Sequence, residues 1–253
     1  MKGFFFAKPL EYRIETPAEE LVQGQSFQGT LQGVNRGGAE ESPLVLEVGL
    51  AYGDLKRIKQ NEPDAFDLLE RHKLAEDIAL APDEGHKAAW ELTLASDCPI
   101  TSSVGCLFLL YGGSLDEPGR WSRIDLSVDL TPELQTFITT LENHFAFEAK
   151  SKRYQEGFTE VRFKPPGSYP TLEELSVLMR VREKEGMALK FLFTIKGISR
   201  SGDKKLTRRK VEVERSLGKG EFLLPGGQPN RPHFRELVGA VLEEVLPTPW
   251  QKK

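Results

Sequence analysis

The chain has 253 residues, 34 Lys+Arg against 38 Asp+Glu, and a formal net charge of −4. With 39% hydrophobic and 28% charged residues, it is richer in apolar residues than a disordered chain and poorer than a membrane protein. The near-neutral total hides a split: residues 1–130 hold 12 Lys+Arg and 22 Asp+Glu, net −10, and residues 131–253 hold 22 and 16, net +6. Such asymmetry marks separate domains or a charged binding face.

Only five residues separate Lys2 from Lys8, fewer than the roughly 7–15 apolar residues of a secretory signal. No run approaches the roughly 18 apolar residues of a membrane span. Cys98 and Cys106 are too few for a disulfide framework and read as free thiols in a reducing cytoplasm.

Alternation of apolar and polar residues dominates the first half. Leu10, Tyr12 and Ile14 alternate with Glu11 and Arg13; Phe27, Gly29 and Leu31 follow, then Leu46, Val48, Leu50 and Tyr52. Lys73–Ala81, Ala88–Leu94, Val104–Leu110 and Ile124–Leu130 continue the series, each bounded by turn formers. Seven or so short strands predict a β-sandwich. One stretch, Pro63–Glu70, reads instead as a short helix with Pro in its first turn.

The domain boundary falls near Leu130. Thr131 is an N-cap and Pro132 an N1 residue. Leu134, Phe137, Ile138, Leu141 and Phe145 repeat at helical spacing. Strands resume with Phe145, Phe147 and Ala149 on one face, then Val161 and Phe163. Leu175–Val181 and Leu189–Ile195 form a hairpin turned by Glu183–Gly186, and Leu206–Glu214 is a further strand. Pro232 opens a last helix striped by Phe234, Leu237, Val238, Val241, Leu242 and Val245. The predicted fold class is all-β: two tandem immunoglobulin-like sandwiches, 1–130 and 131–253, with a short helix in the first, a linker helix and a C-terminal helix.

Chemistry-bearing patterns are sparse. The four His and two Cys lack metal-ligand spacing, and neither a phosphate-binding glycine loop nor a nucleophile elbow is present. Paired acids such as Glu19-Glu20, Glu40-Glu41 and Asp83-Glu84 fall in turns. No catalytic, cofactor or metal residue is therefore expected. The one suggestive run is Lys204-Lys205-Leu206-Thr207-Arg208-Arg209-Lys210. Lys204, Lys205, Arg208, Arg209 and Lys210 are candidates for contact with an anionic lipid surface or an acidic partner. At about 1 kcal/mol per base such a run orients a protein on a membrane rather than anchoring it. It lacks the interleaved aromatics of a nucleic-acid site, so no nucleic-acid partner is expected.

Several segments resemble one family. Leu21-Val22-Gln23-Gly24-Gln25-Ser26-Phe27-Gln28-Gly29-Thr30-Leu31 is similar to the turn and strand that follow the opening strand of arrestin-like domains, with Gln23 in place of Pro. Trp90–Leu94 leading into Asp97-Cys98-Pro99-Ile100-Thr101 resembles a later strand and turn of that superfamily. Ser114-Leu115-Asp116, Gly157–Pro165 and Leu172–Leu178 resemble segments of its bacterial branch, the sporulation-control (SpoOM) family. Phe193-Thr194-Ile195-Lys196 and Glu117-Pro118-Gly119-Arg120 depart from that pattern.

The resemblance implies a non-enzymatic regulator or scaffold that binds other proteins. Two alternatives stand beside it: a peripheral module binding anionic lipid through residues 204–210, and a hydrolase built on a β-sandwich. The charge split also allows attraction between copies, so a homodimer is among the expectations, with a cytoplasmic location.

Overall fold

The computed structural model describes every residue except 39–40, 63, 183, 199–205 and 247–253; the side chains of 41–43, 198 and 206 are also left aside. The chain divides into two compact units, Met1–Asp129 and Leu130–Lys253.

The first unit runs β1 (Lys2–Ala7), β2 (Leu10–Glu15), β3 (Glu20–Val22), β4 (Ser26–Asn35), β5 (Glu41–Asp54), α1 (Leu55–Lys59), β6 (Phe66–Leu80), β7 (Gly85–Thr93), β8 (Gly105–Gly112) and β9 (Trp121–Asp129). They form a four-stranded sheet, β1-β2-β4-β7, and a five-stranded sheet, β3-β9-β8-β5-β6. Among the described residues only β3 and β9 pair in parallel. Inward residues such as Ile14, Leu31 and Trp90 from one sheet meet Val48, Leu109 and Val128 from the other in a single buried cluster. This is the two-layer solution that alternating strands require.

The predicted helix at Pro63–Glu70 is not formed; Phe66–Glu70 begins β6, and Pro63 lies outside the described residues. Phe66 pairs with Gly53 in register and packs edge-on to Phe108 and Trp121. Burying that ring outweighs a weak helical signal. The helix of this unit lies earlier, at α1, where the Asp54 carboxylate accepts the backbone N–H groups of Lys56 and Arg57 at 2.8 and 3.1 Å. β1 and β3 are additional strands; β1 is held by the stack of Phe5 on Tyr12. β8 is buried on both faces: Leu107 and Leu109 enter the main core, while Cys106, Phe108 and Leu110 form a second cluster.

The second unit runs α2 (Pro132–Phe145), β10 (Glu148–Gln155), β11 (Phe158–Lys164), β12 (Leu172–Arg182), β13 (Gly186–Ile198), β14 (Leu206–Leu217), α3 (Lys219–Phe222) and α4 (Arg231–Val245). Its five strands form one antiparallel sheet in chain order, β10-β11-β12-β13-β14. The expected second sandwich thus has helices in place of one sheet. Phe137 of α2 meets Phe191 of β13 and Phe234 of α4, with ring centroids 6.1 and 5.4 Å apart.

Thr131 caps α2, its hydroxyl accepting the Leu134 N–H at 3.4 Å. Phe145 belongs to this helix and not to the following strand, because Ala146 turns left-handed at φ +57° and ends it. The β12–β13 turn needs Gly186, at φ +85°; a Cβ there would lie 2.2 Å from the Leu217 carbonyl oxygen.

Candidate functional site

The helices cover one face of the β10–β14 sheet. On the other face, cross-strand register sets side chains in rows. Arg162, Ser176, Leu192 and Glu212 lie opposite one another across β11 to β14, and Glu160, Leu178, Lys190 and Glu214 form the adjacent row. A shallow cavity of about 470 Å³ opens over the first row and over Glu160 and Leu178 of the second, reaching Arg153, Glu174 and Lys210.

Its deepest charge is Glu160, only 5% exposed. Burial pushes its carboxyl pKa up, but hydrogen bonds and charge from Arg153 and Arg162 outweigh this and hold it below the usual range. A carboxylate fixed between two guanidiniums stays ionised at neutrality, which makes it a poor general acid. Lys190 bridges Glu212 at 2.5 Å and Glu214 at 3.3 Å. The face is a lattice of opposite charges around two leucines.

The basic run expected from the sequence is only partly a patch. Lys204 and Lys205 lie outside the described residues. Arg208, Arg209 and Lys210 sit within β14 itself, all exposed. Strand pleating puts Arg208 and Lys210 on one face and Arg209 on the other. Arg208 is already engaged: its guanidinium grips the Glu173 carboxylate with two bonds of 2.7 Å. That pairing holds Glu173 low and raises Arg208. Lys210 lines the cavity.

Two further networks lie in the first unit. Glu47 on β5 is 1% exposed. It accepts from Arg71 at 2.7 and 2.8 Å and from the Leu115 N–H at 2.8 Å. Arg71 also binds Asp116 at 2.7 Å, and these two partners raise its pKa. The Ser114-Leu115-Asp116 segment therefore acts as a clamp on β5 and β6. The other two family-like segments of this unit meet each other: the Gln23 side-chain amide donates to the Cys98 carbonyl at 2.6 Å, and the Gly24 N–H to the Ala95 carbonyl at 3.2 Å.

Neither network was visible in the sequence, because the partners lie far apart in the chain. The one available signal was parity: Glu47 falls between inward-facing Leu46 and Val48 in a strand buried on both faces.

The two thiols are poorly suited to catalysis. Burial, with a smaller push from Asp97 at Cys98 and Asp125 at Cys106, raises them to about 12 and about 11, so both stay protonated at neutral pH. Among the described residues no group of three or more His, Cys, Asp or Glu is arranged to hold a metal, and no helix is long and apolar enough to cross a membrane.

Comparison with known proteins adds a fold. No family profile and no curated sequence matches the chain. Among solved structures, Spo0M, the sporulation control protein of Bacillus subtilis, superposes with a TM-score of 0.68 at 16% identity, covering 93% of this chain and 98% of that one. The alkylpurine DNA glycosylase AlkC of Pseudomonas fluorescens and a β-glucosidase of Listeria innocua each match about half of this chain, 47%, at a TM-score of 0.29, too low to carry an argument. The chain is a predominantly β protein that shares the fold of Spo0M.

Proposed function

We propose that this protein is a cytoplasmic, non-enzymatic regulatory scaffold that binds other proteins over the outer face of its second unit. The supporting observation is the five-stranded sheet itself. Helices bury one face; the other presents charged rows around Leu178 and Leu192, with each buried charge already paired. Such a surface recognises a folded or extended partner by charge pattern and a small apolar centre. The likeness to Spo0M, a sporulation control protein, supports a regulatory role of this kind; fold alone does not assign one.

The test is affinity capture from the native cell with the full chain, beside a variant carrying Leu178→Lys and Leu192→Lys. Both leucines are half-buried on the outer face, so the variant is expected to fold and to lose partners. An unchanged set of captured proteins refutes the assigned face. Turnover by the purified chain on generic ester, phosphate or glycoside substrates refutes the non-enzymatic reading. The lipid alternative weakens once Arg209 faces away from Arg208 and Lys210; salt-sensitive cosedimentation with anionic vesicles, lost on neutralising those three residues, would restore it.

A further inference from the structure

Strand β14 is an edge. Among the described residues it pairs only with β13, along its full length from Leu206↔Ile198 to Leu217↔Met187. Residues 207–210 and 212 are exposed. A twelve-residue edge of this kind is a template for another strand unless its chemistry prevents pairing.

The side chains on its outer face do the opposite. Reading along the strand they are Arg208, Lys210, Glu212 and Glu214: two cations, then two anions. A strand with this order is complementary to itself when reversed. From this pattern we infer that two copies of the chain join through β14, antiparallel, about a two-fold axis at Val211, continuing the sheet across both protomers.

The register follows from charge. A two-fold axis normal to the sheet keeps both outer faces on the same side, so opposed residues carry numbers with an even sum. With the axis at Val211, Lys210 meets Glu212 and Arg208 meets Glu214, each twice, and every crossing on the outer face joins opposite charges. Shifting the axis to residue 210 or 212 sets Lys210 against Lys210 or Glu212 against Glu212. Like charges directly opposite are destabilising and opposite ones stabilising, so one register is selected. On the helix-covered face Val211, which is half-buried in the single chain, meets its own counterpart.

The charges are available for this. Lys210 has no carboxylate partner among the described residues, and Lys190 is a single cation shared by Glu212 and Glu214. Arg208 keeps Glu173, so the Lys210–Glu212 crossings contribute most. Because the contact is one strand edge held by exposed pairs, association should be reversible and should weaken with salt. The dimer shares Lys210 and Glu212 with the outer face proposed above, but it is measured on the purified chain alone, so its failure and the failure of partner capture are separate results.

Analytical ultracentrifugation of the full chain from about 5 to about 500 µM tests it. A monomer–dimer equilibrium that weakens between low and moderate salt is expected. Lys210→Glu alone, or Glu212→Lys alone, creates two like-charge crossings per dimer and should weaken association by about 10-fold or more. The chain carrying both changes should recover it. Mixing the two single variants should also restore dimers, as heterodimers, since each crossing then joins opposite charges. A chain that stays monomeric throughout, or a dimer indifferent to either single substitution, overturns the inference. Unchanged melting temperatures of the exposed-site variants confirm that folding is not the cause.

Discussion

Removing the Glu47 carboxylate should cost the first unit a large part of its stability. Glu47 is 1% exposed and receives three bonds of 2.7–2.8 Å, two from Arg71 and one from the Leu115 N–H. Breaking a buried ion pair by deleting one partner costs about 3–5 kcal/mol, because the remaining charge is left uncompensated. Arg71 retains Asp116 and is 31% exposed, which places Glu47→Ala near about 3 kcal/mol. Glu47→Gln keeps an oxygen for the Leu115 N–H but loses the charge, so about 2 kcal/mol is expected, the cost of a hydrogen bond to a charged group. In a double-mutant cycle with Arg71→Ala the two losses should fall well short of additive. Urea unfolding followed by tryptophan fluorescence is the assay, since Trp90 and Trp121 both lie in this unit. A loss below about 0.5 kcal/mol for Glu47→Ala at unchanged m, or a coupling near zero, would refute the assignment of Ser114-Leu115-Asp116 as a clamp.

Two further outcomes follow from titrating groups. Glu160 is held below its ordinary pKa in the folded state, burial raising it but Arg153 and Arg162 lowering it more. Its contribution to stability is therefore present above the unfolded carboxyl value of about 4.3 and lost as pH falls through the lower folded value. Glu160→Gln should be less stable at pH 7 and should show a flatter decline below pH 4.5 in urea midpoints; a parallel decline would exclude the paired geometry. Cys98 and Cys106, raised to about 12 and about 11 mainly by burial, should resist a thiol-specific disulfide reagent at pH 8 in the native protein and react after unfolding in urea. Rapid native labelling of either would contradict its burial.

The parts of the fold legible in the sequence are those fixed by local chemistry. Thr131, Pro132 and the spacing from Leu134 to Phe145 specify α2 without outside help. The β12–β13 hairpin follows from alternation on both sides of a turn that needs Gly186. The start of β6, Phe66–Glu70, has a helical pattern in sequence but gains its order from long-range neighbours: Phe66 is fixed by Phe108 and Trp121, more than forty residues away in sequence. The helical layer of the second unit escaped for the same reason. Periodicity shows that α2 and α4 each have an apolar stripe, but not that both stripes land on one sheet.

The candidate site was legible only as composition. Five bases in seven residues suggest a single patch, whereas a strand distributes successive side chains to opposite faces. The same pleat converts Arg208, Lys210, Glu212 and Glu214 from an unremarkable mixture into an ordered series.

This division bears on how far the Spo0M-like fold can carry a function. The 16% identity over 93% of the chain preserves a frame whose inward positions, such as Ile14, Val48, Leu109, Val177 and Phe191, are constrained only to be apolar and of suitable volume. Outward positions are free of that constraint, so charge order on β14 and the Arg153–Glu160–Arg162 group can differ between proteins that share the frame. Inward substitutions should therefore move melting temperature, while outward charge changes at exposed sites should leave it nearly fixed. A change in association or partner capture at constant stability would then be attributable to the surface, and the function proposed here depends on the surface alone.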